Sequence, residues 1–217
     1  SNTAVGYAAG DTITNSGGLN TVIGTSADVS TGAATNQTVI GNGATGQADN
    51  SVTLGNASVT AVYMASDSGA TVHADKYMST TMPAFCVHPA SNQNNFTVGS
   101  AQAVVWGTER FDQGSNFASN TFTAPVTGKY QLNLILRVEL VDSASGYYEA
   151  VIVTSNHSYK YIFDPDFGQD ATYWTCNAAV LADMDASDTA SVTIHQESGT
   201  AQTDVKTVSF FSGYLVC

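Results

Sequence analysis

From Tyr130 to Leu140, apolar residues recur at every second position, and Ile135 is the one apolar residue among those between them. Tyr130, Leu132, Leu134, Leu136, Val138 and Leu140 fall on one side, and Gln131, Asn133, Ile135, Arg137 and Glu139 on the other. A period of two sustained over that length specifies a β-strand with one face in a core. Pro125 lacks the N–H that a central strand donates, and Gly128 tolerates a tight turn, so the two mark where the strand begins. The stretch is longer than the usual strand, which places it centrally in its sheet.

The chain on either side of it reads in the same way. The spacing predicts strands at 83–88, 102–107, 129–141, 147–155, 158–163, 172–182, 189–196 and 206–216. Turn-forming clusters separate them: Asp142 to Gly146, Asp164-Pro-Asp-Phe-Gly168, Asp183 to Asp188, and Ser198-Gly199. No stretch has the period of an amphipathic helix. An all-β sandwich follows from the spacing alone.

The first part of the chain is built differently. Asn2-Thr-Ala-Val-Gly6, Asn20-Thr-Val-Ile-Gly24, Gln37-Thr-Val-Ile-Gly41 and Val52-Thr-Leu-Gly55 repeat one phrase, and their glycines step by 18, 17 and 14 residues. Each unit is a short strand closed by a glycine turn. One unit cannot bury its aliphatic residue alone, but stacked units share a continuous core, as in a solenoid. Asn56 to Tyr63 reads as a degenerate last copy. Residues 64–81 read as a connector with at most one short strand, and the boundary is expected between Tyr77 and Met82. The domains expected are therefore 1–63, a connector at 64–81, and 82–217. Because the chain begins inside a repeat, we expect it to be the C-terminal part of a longer protein.

Composition narrows the function classes. Only 11 % of residues are charged, with six Lys and Arg against 18 Asp and Glu and a net charge of −12. Phosphate backbones and anionic membrane surfaces both require clustered basic groups, so neither is an expected partner. No apolar run approaches the ~18 residues of a membrane-spanning helix. There is no Gly-x-Ser-x-Gly elbow and no phosphate-cradling glycine loop, and we expect no enzymatic activity.

Two resemblances add to this reading. Phe122-Thr-Ala-Pro-x-x-Gly-x-Tyr130 with its following strand, closed by Phe211-Ser-Gly-Tyr-Leu215, resembles the globular domain of the complement C1q and tumour-necrosis-factor superfamily. Pro83-Ala-Phe85, Arg110-Phe-Asp112 with Asn116-Phe117, and Leu181 to Val192 agree in order, so the likeness covers residues 82–217. It implies a jelly roll that assembles as a homotrimer. The repeats of residues 2–63 are similar to the head repeats of trimeric autotransporter adhesins and to matching segments of phage tail fibres. That likeness implies left-handed β-rolls packed side by side in a trimeric shaft. Together they imply the receptor-binding tip of a phage tail fibre, located on the virion. It would join the remaining fibre at its N-terminal end and recognise a host-surface glycan or protein. Three rivals stay open: a bacterial secreted or surface C1q-like adhesin or lectin, a tailspike-type enzyme degrading polysaccharide, and a purely structural trimerisation cap.

Several residues are candidates for chemistry. The four histidines, His73, His88, His157 and His195, show no ligand spacing; only a trimer axis would bring copies of one together. Acidic turns offer oxygen ligands of the kind Ca²⁺ takes, with Asp164, Asp166, Asp183, Asp185 and Asp188 as candidates, or they initiate turns through their own side chains. Cys86, Cys176 and Cys217 are an odd number, read as buried thiols, with a Cys86–Cys217 bridge conceivable if the first and last strands lie side by side. Aromatic residues concentrate between Tyr147 and Trp174. Tyr159, Tyr161 and Phe163 share a strand face, whereas Phe167 sits in an acidic turn with no alternation to place it in a core.

Strand parity then locates a surface. If 129–141 runs away from the chain's point of arrival, as in the resembled family, the turns at 142–146, 164–171 and 197–205 share the far end. The turns at 156–157 and 183–188 share the near one. The far end would gather Asp142, Ser143, Ser145, Asp164, Asp166, Phe167, Asp170, Thr200, Gln202 and Asp204 as the receptor-binding set.

Overall fold

A computed structural model describes residues 1–67, 69–74 and 81–217. The described residues contain sixteen strands and no helix. The chain divides into two compact units, residues 1–76 and 77–217.

In the first unit, β1 (Thr3–Val5), β2 (Thr21–Ile23), β3 (Gln37–Ile40) and β4 (Ser51–Leu54) form one parallel sheet in sequence order. Equivalent positions of successive repeats face each other, so Val5 pairs with Ile23, Ile23 with Ile40, and Ile40 with Leu54. Parallel bridges from Gly18 to Thr35 and from Asp28 to Thr45 stack the connectors as well. The shared core is thin and made of small groups, with Val22, Ala27, Val29, Ala34, Val39 and Ala44 all buried.

Two polar side chains lie within this unit, both fully satisfied. Asn20 donates from Nδ2 to the Ala34 carbonyl at 2.8 Å and accepts from the Gln37 backbone at 2.9 Å. Gln37 in turn accepts from Ser30 N and donates to Ser30 Oγ. A buried amide that lost these partners would cost about 1–3 kcal/mol, so the pair fixes the register of the coils. The Asn56 to Tyr63 phrase, read above as a last copy, adds no strand: it turns back after Gly55, where Val59 N bonds to Asn56 O at 3.0 Å. The described part of the 64–81 connector is likewise without strands, and Ser68 and 75–80 lie outside the described residues.

The second unit is a sandwich of two antiparallel sheets. The first sheet uses β5 (Ala84–His88), β7 (Thr108–Gln113), β10 (Gly128–Val141), β13 (Ala171–Met184) and β16 (Phe210–Leu215), in the order β13-β10-β16-β5-β7. A short β15 (Asp204–Val205) also pairs with β10. The second sheet uses β8 (Phe117–Ala118), β9 (Thr121–Thr123), β11 (Tyr148–Thr154), β12 (Ser158–Phe163) and β14 (Thr189–Gln196), in the order β12-β11-β14-β9-β8. A short β6 (Gln102–Ala103) pairs with β14. This order is a jelly roll: first and last strands β5 and β16 adjoin, and the chain crosses repeatedly between sheets.

The alternation on β10 works as expected through Val138. Tyr130, Leu132, Leu134, Leu136 and Val138 are buried, facing Phe85, Phe122 and Phe211. The Phe85 ring lies 4.7 Å from Phe122 and 5.1 Å from Phe211. Each buried side chain of this size contributes about 2–3 kcal/mol.

Leu140 departs from the expectation. Its φ is +57°, it is 51 % exposed, and Val141 takes the inward position instead. A left-handed residue breaks the period of two, which sequence alternation alone does not register. Other corrections concern short elements. The strand expected at 102–107 is limited to Gln102–Ala103, that at 206–216 is shortened to Phe210–Leu215, and Asp204–Val205, expected in a turn, forms a short strand of its own. Residues 108–113, for which no strand was expected, form β7.

All three cysteines are free. Cys86 lies opposite Ser212, five positions along the strand from Cys217, so the conceivable Cys86–Cys217 bridge does not form. Burial pushes the Cys176 thiol up to about 12, which leaves it protonated and inert.

Candidate binding surface at the turn end

The register of β10 against β13 and β15 brings Val141, Ala171 and Asp204 to the same end of the first sheet. The turns at 142–146, 164–171 and 197–205 meet there. The turns at 155–157 and 183–188 meet at the other end, where Asn156 Nδ2 bonds to Asp183 O at 3.0 Å and to Asp188 Oδ2 at 2.7 Å.

Asp142 is the organiser of the first group. It is 3 % exposed. Its Oδ1 accepts from Ala144 N at 2.8 Å, and its Oδ2 accepts from Thr200 N at 2.5 Å and Ala201 N at 2.9 Å. These backbone donors, Ala144 first, hold its carboxyl below the ordinary value of 3.8. Its own N–H donates to Tyr148 Oη, which also accepts from Thr203 Oγ1 at 3.0 Å, and Thr203 continues to Gln196. One buried network therefore ties two of the turns to the core.

Asp142, Ser145 and Asp204 were expected to face a receptor. They do not: all three are buried. Ser145 Oγ donates to Tyr147 O, and Asp204 Oδ1 accepts from Asn95 N at 2.9 Å. Short polar side chains in turns satisfy backbone donors and acceptors, and that role has claimed these three. Asp164, Asp166, Phe167, Asp170, Thr200 and Gln202 are exposed, and Ser143 is half-buried, with its N and Oγ both donating to Asp170 Oδ1.

Phe167 is 41 % exposed and stacks on Trp174 at 5.2 Å with 27° between the ring planes. Trp174 stacks on Phe163 at 5.3 Å, and Phe163 on Tyr148 at 5.0 Å and 8°. The result is a column of rings running from the buried network to the surface. Its outer end opens into a hollow of about 400 Å³ lined by Phe167, Gln169, Asp170, Tyr173 and Trp174. The Arg137 guanidinium lies 4.4 Å from the Tyr173 ring centre. Tyr173 and Trp174 were missing from the expected set. They are adjacent on β13 and so point to opposite faces, and only their membership of the 147–174 aromatic run hinted at a role.

The calcium candidates form two separate groups, as the two acidic turns that carry them imply. Asp164 and Asp166 lie at one end of the sandwich and Asp183, Asp185 and Asp188 at the other. Asp183 pairs with Lys129 at 2.7 Å, Asp185 Oδ1 accepts from Thr127, and Asp188 Oδ2 accepts from Asp185 N. Among the described residues no three His, Cys, Asp or Glu side chains are grouped as metal ligands. The turn-initiating reading fits Asp164, whose Oδ1 accepts from Asp166 N.

A second surface is the outward face of the first sheet. Residues opposite one another there are Ile135 and Asn177, Gln131 and Leu181, Gln131 and Tyr214, and Cys86 and Phe111. Ile135, Leu181, Tyr214 and Phe111 are all 46–53 % exposed. Amides and hydroxyls (Gln131, Asn133, Asn177, Ser212) separate them, and the charges on the β10 part of this face are Lys129, Arg137 and Glu139.

These features define a two-sheet jelly roll with an aromatic, acidic hollow at one end. Comparison with solved structures finds chains that align with the second unit's share of this one. The globular domain of zebrafish complement 1qA protein aligns with 63 % of this chain and 98 % of its own, at 15 % identity and a TM-score of 0.46. Murine APRIL at pH 8.0 aligns with 62 % of this chain and 98 % of its own, at 13 % identity and a TM-score of 0.47. No protein-family model and no curated protein matches the sequence.

Proposed function

We propose that the chain is a trimeric attachment protein, the tip of a phage tail fibre, whose turn end binds a surface saccharide of the host. The observation that carries this reading is the Phe167–Trp174 stack, with Phe167 exposed, in a hollow that also holds the carboxylate of Asp170. An exposed ring face stacks on the C–H face of a pyranose, and a neighbouring carboxylate accepts its hydroxyl protons. Ser143, beside Asp142, donates from N and Oγ to Asp170, which fixes one wall of that hollow without a ligand. The protein acts by binding and not by catalysis, on the virion, with the repeats of the first unit continuing into the rest of the fibre.

Self-association is supported by the outward face of the first sheet. Ile135, Leu181, Tyr214 and Phe111 stand half-exposed on that one sheet face, where a second copy of the chain would bury them. The exposed row Val5, Ile23, Ile40 and Leu54 along the first unit supports the same conclusion. Light scattering should return three times the chain mass of 22.5 kDa. Ile135→Lys together with Leu181→Lys should shift that mass to a single chain while the circular dichroism stays β-type. A single-chain mass for the unaltered protein would refute the trimer.

The binding reading is tested by presenting the protein with immobilised bacterial surface polysaccharides. Retention that is lost in Phe167→Ala supports it. Release of shortened chains during incubation would instead show a polysaccharide-degrading enzyme.

A further inference from the structure

We propose that the turn end selects an N-acetylated hexosamine, whose acetamido group is seated in a second, smaller hollow beside Leu140; this rests on the saccharide reading above. The Phe167 ring alone does not discriminate, since every pyranose has a C–H face. The smaller hollow does.

That hollow comes from a break in the first sheet. The pairing of β10 with β13 runs from Gly128–Met184 to Glu139–Tyr173 and resumes at Val141–Ala171, leaving out Leu140 and Thr172. Leu140 has a φ of +57°, and among the described residues no other residue within a strand has a positive φ. A leucine is strained in that region and stays there only where its surroundings hold it. Two residues further on, Asp142 is tied to the backbone of Ala144, Thr200 and Ala201. The outcome is an apolar side chain, half-exposed, on a hollow of about 180 Å³ lined by Leu140, Asp170, Ala171, Thr172 and Ala201. Asp170 and Ala171 also line the larger hollow, so the two adjoin. Asp170 uses Oδ1 for Ser143 N and Oγ, and its Oδ2 accepts no hydrogen bond among the described residues.

An acetamido group matches this arrangement part by part. With the sugar ring on the Phe167 face, its N–H donates to Asp170 Oδ2, its methyl lies against Leu140, Ala171 and Ala201, and its carbonyl is left to water. A hydroxyl at the same carbon makes the hydrogen bond but leaves the Leu140 wall wet. A 6-deoxy sugar brings a methyl without the N–H. Hydrogen bonds to an ionised acceptor are the stronger kind, and a buried methyl adds to them.

The test is calorimetric titration of the full chain with three probes: a β-1,4-linked N-acetylglucosamine tetramer, a β-1,4-linked glucose tetramer that differs from it only at C2, and a rhamnose tetramer. The acetylated tetramer should bind about tenfold more tightly than either of the others. Leu140→Gly removes the apolar wall while glycine adopts the positive φ freely, so the variant should fold, and in it the preference should drop below about threefold. Phe167→Ala should lose all binding. Equal binding of the acetylated and glucose tetramers, lost in Phe167→Ala, overturns the acetamido subsite and leaves the saccharide reading standing. A preference that survives in Leu140→Gly overturns the subsite too, because the methyl would then sit elsewhere. A rhamnose tetramer that binds as tightly as the acetylated one, and weakens in Leu140→Gly, overturns the acetamido group in favour of a bare methyl. Silence with all three probes overturns both readings.

Discussion

Gly24→Ala is expected to unfold the repeat unit while the jelly roll stays folded. Gly24 has a φ of +135°, and a Cβ placed on it would lie 2.5 Å from the Gly41 carbonyl oxygen. Gly6 meets Gly24 in the same way at 2.6 Å. Each glycine is therefore required twice, for its own backbone and because the next coil passes directly over it. No side chain can yield, since the obstacle is backbone. The strained φ and the clash together should cost more than about 3 kcal/mol, a large share of the stability of so thin a core. Hydrogen exchange should show protection lost across residues 1–55 and retained across β10, β13 and β16. Protection kept in the first unit would mean that the coils are not stacked as described.

Asp142→Ala is expected to lower the stability of the second unit by about 2–4 kcal/mol, read as a fall in denaturant midpoint. The variant leaves the part-buried N–H groups of Ala144, Thr200 and Ala201 without their acceptor. The pH dependence has a definite sign. The folded carboxyl titrates below its ordinary 3.8, so its contribution is complete above that value and is lost as pH falls through the lower folded value. The gap between wild type and variant should be constant from about pH 5 to 8 and shrink below about pH 4. A gap that widens in acid would show that Asp142 is not the acceptor described. Saccharide binding should weaken as well, because the turns that frame the hollow would loosen.

Long-period features were legible in the sequence. The alternation at 130–138 fixed the central strand, and the strands at 148–154, 158–163, 171–184 and 189–196 lie where spacing puts them, within a residue or two. Parity along those strands was enough to gather the right turns at one end. What escaped was whatever depends on one residue's dihedral or on partners distant in sequence. Leu140 reads as a core leucine until its positive φ turns it outward. Asp142 reads as an exposed turn aspartate, because nothing local reveals that Thr200 and Ala201 come within hydrogen-bond reach. Trp174 reads as one more strand aromatic, because its stacking on Phe167 depends on how the 164–170 turn folds back. The repeats were legible from their glycines, although the last copy was over-read, since Asn56 to Tyr63 keeps the aliphatic residues without the closing glycine that shapes a coil.

The most direct test of the account compares the two ends of the sandwich in one assay. Adsorption to host cells is measured for the unaltered protein, for Phe167→Ala at the aromatic end, and for Asp185→Ala at the opposite end, each with its oligomeric mass verified. The account predicts that Phe167→Ala loses adsorption by at least about tenfold while Asp185→Ala keeps it, since truncating a central aromatic anchor costs about 2 kcal/mol or more. Undiminished adsorption in Phe167→Ala, with loss in Asp185→Ala, would contradict it and move the binding surface to the other end.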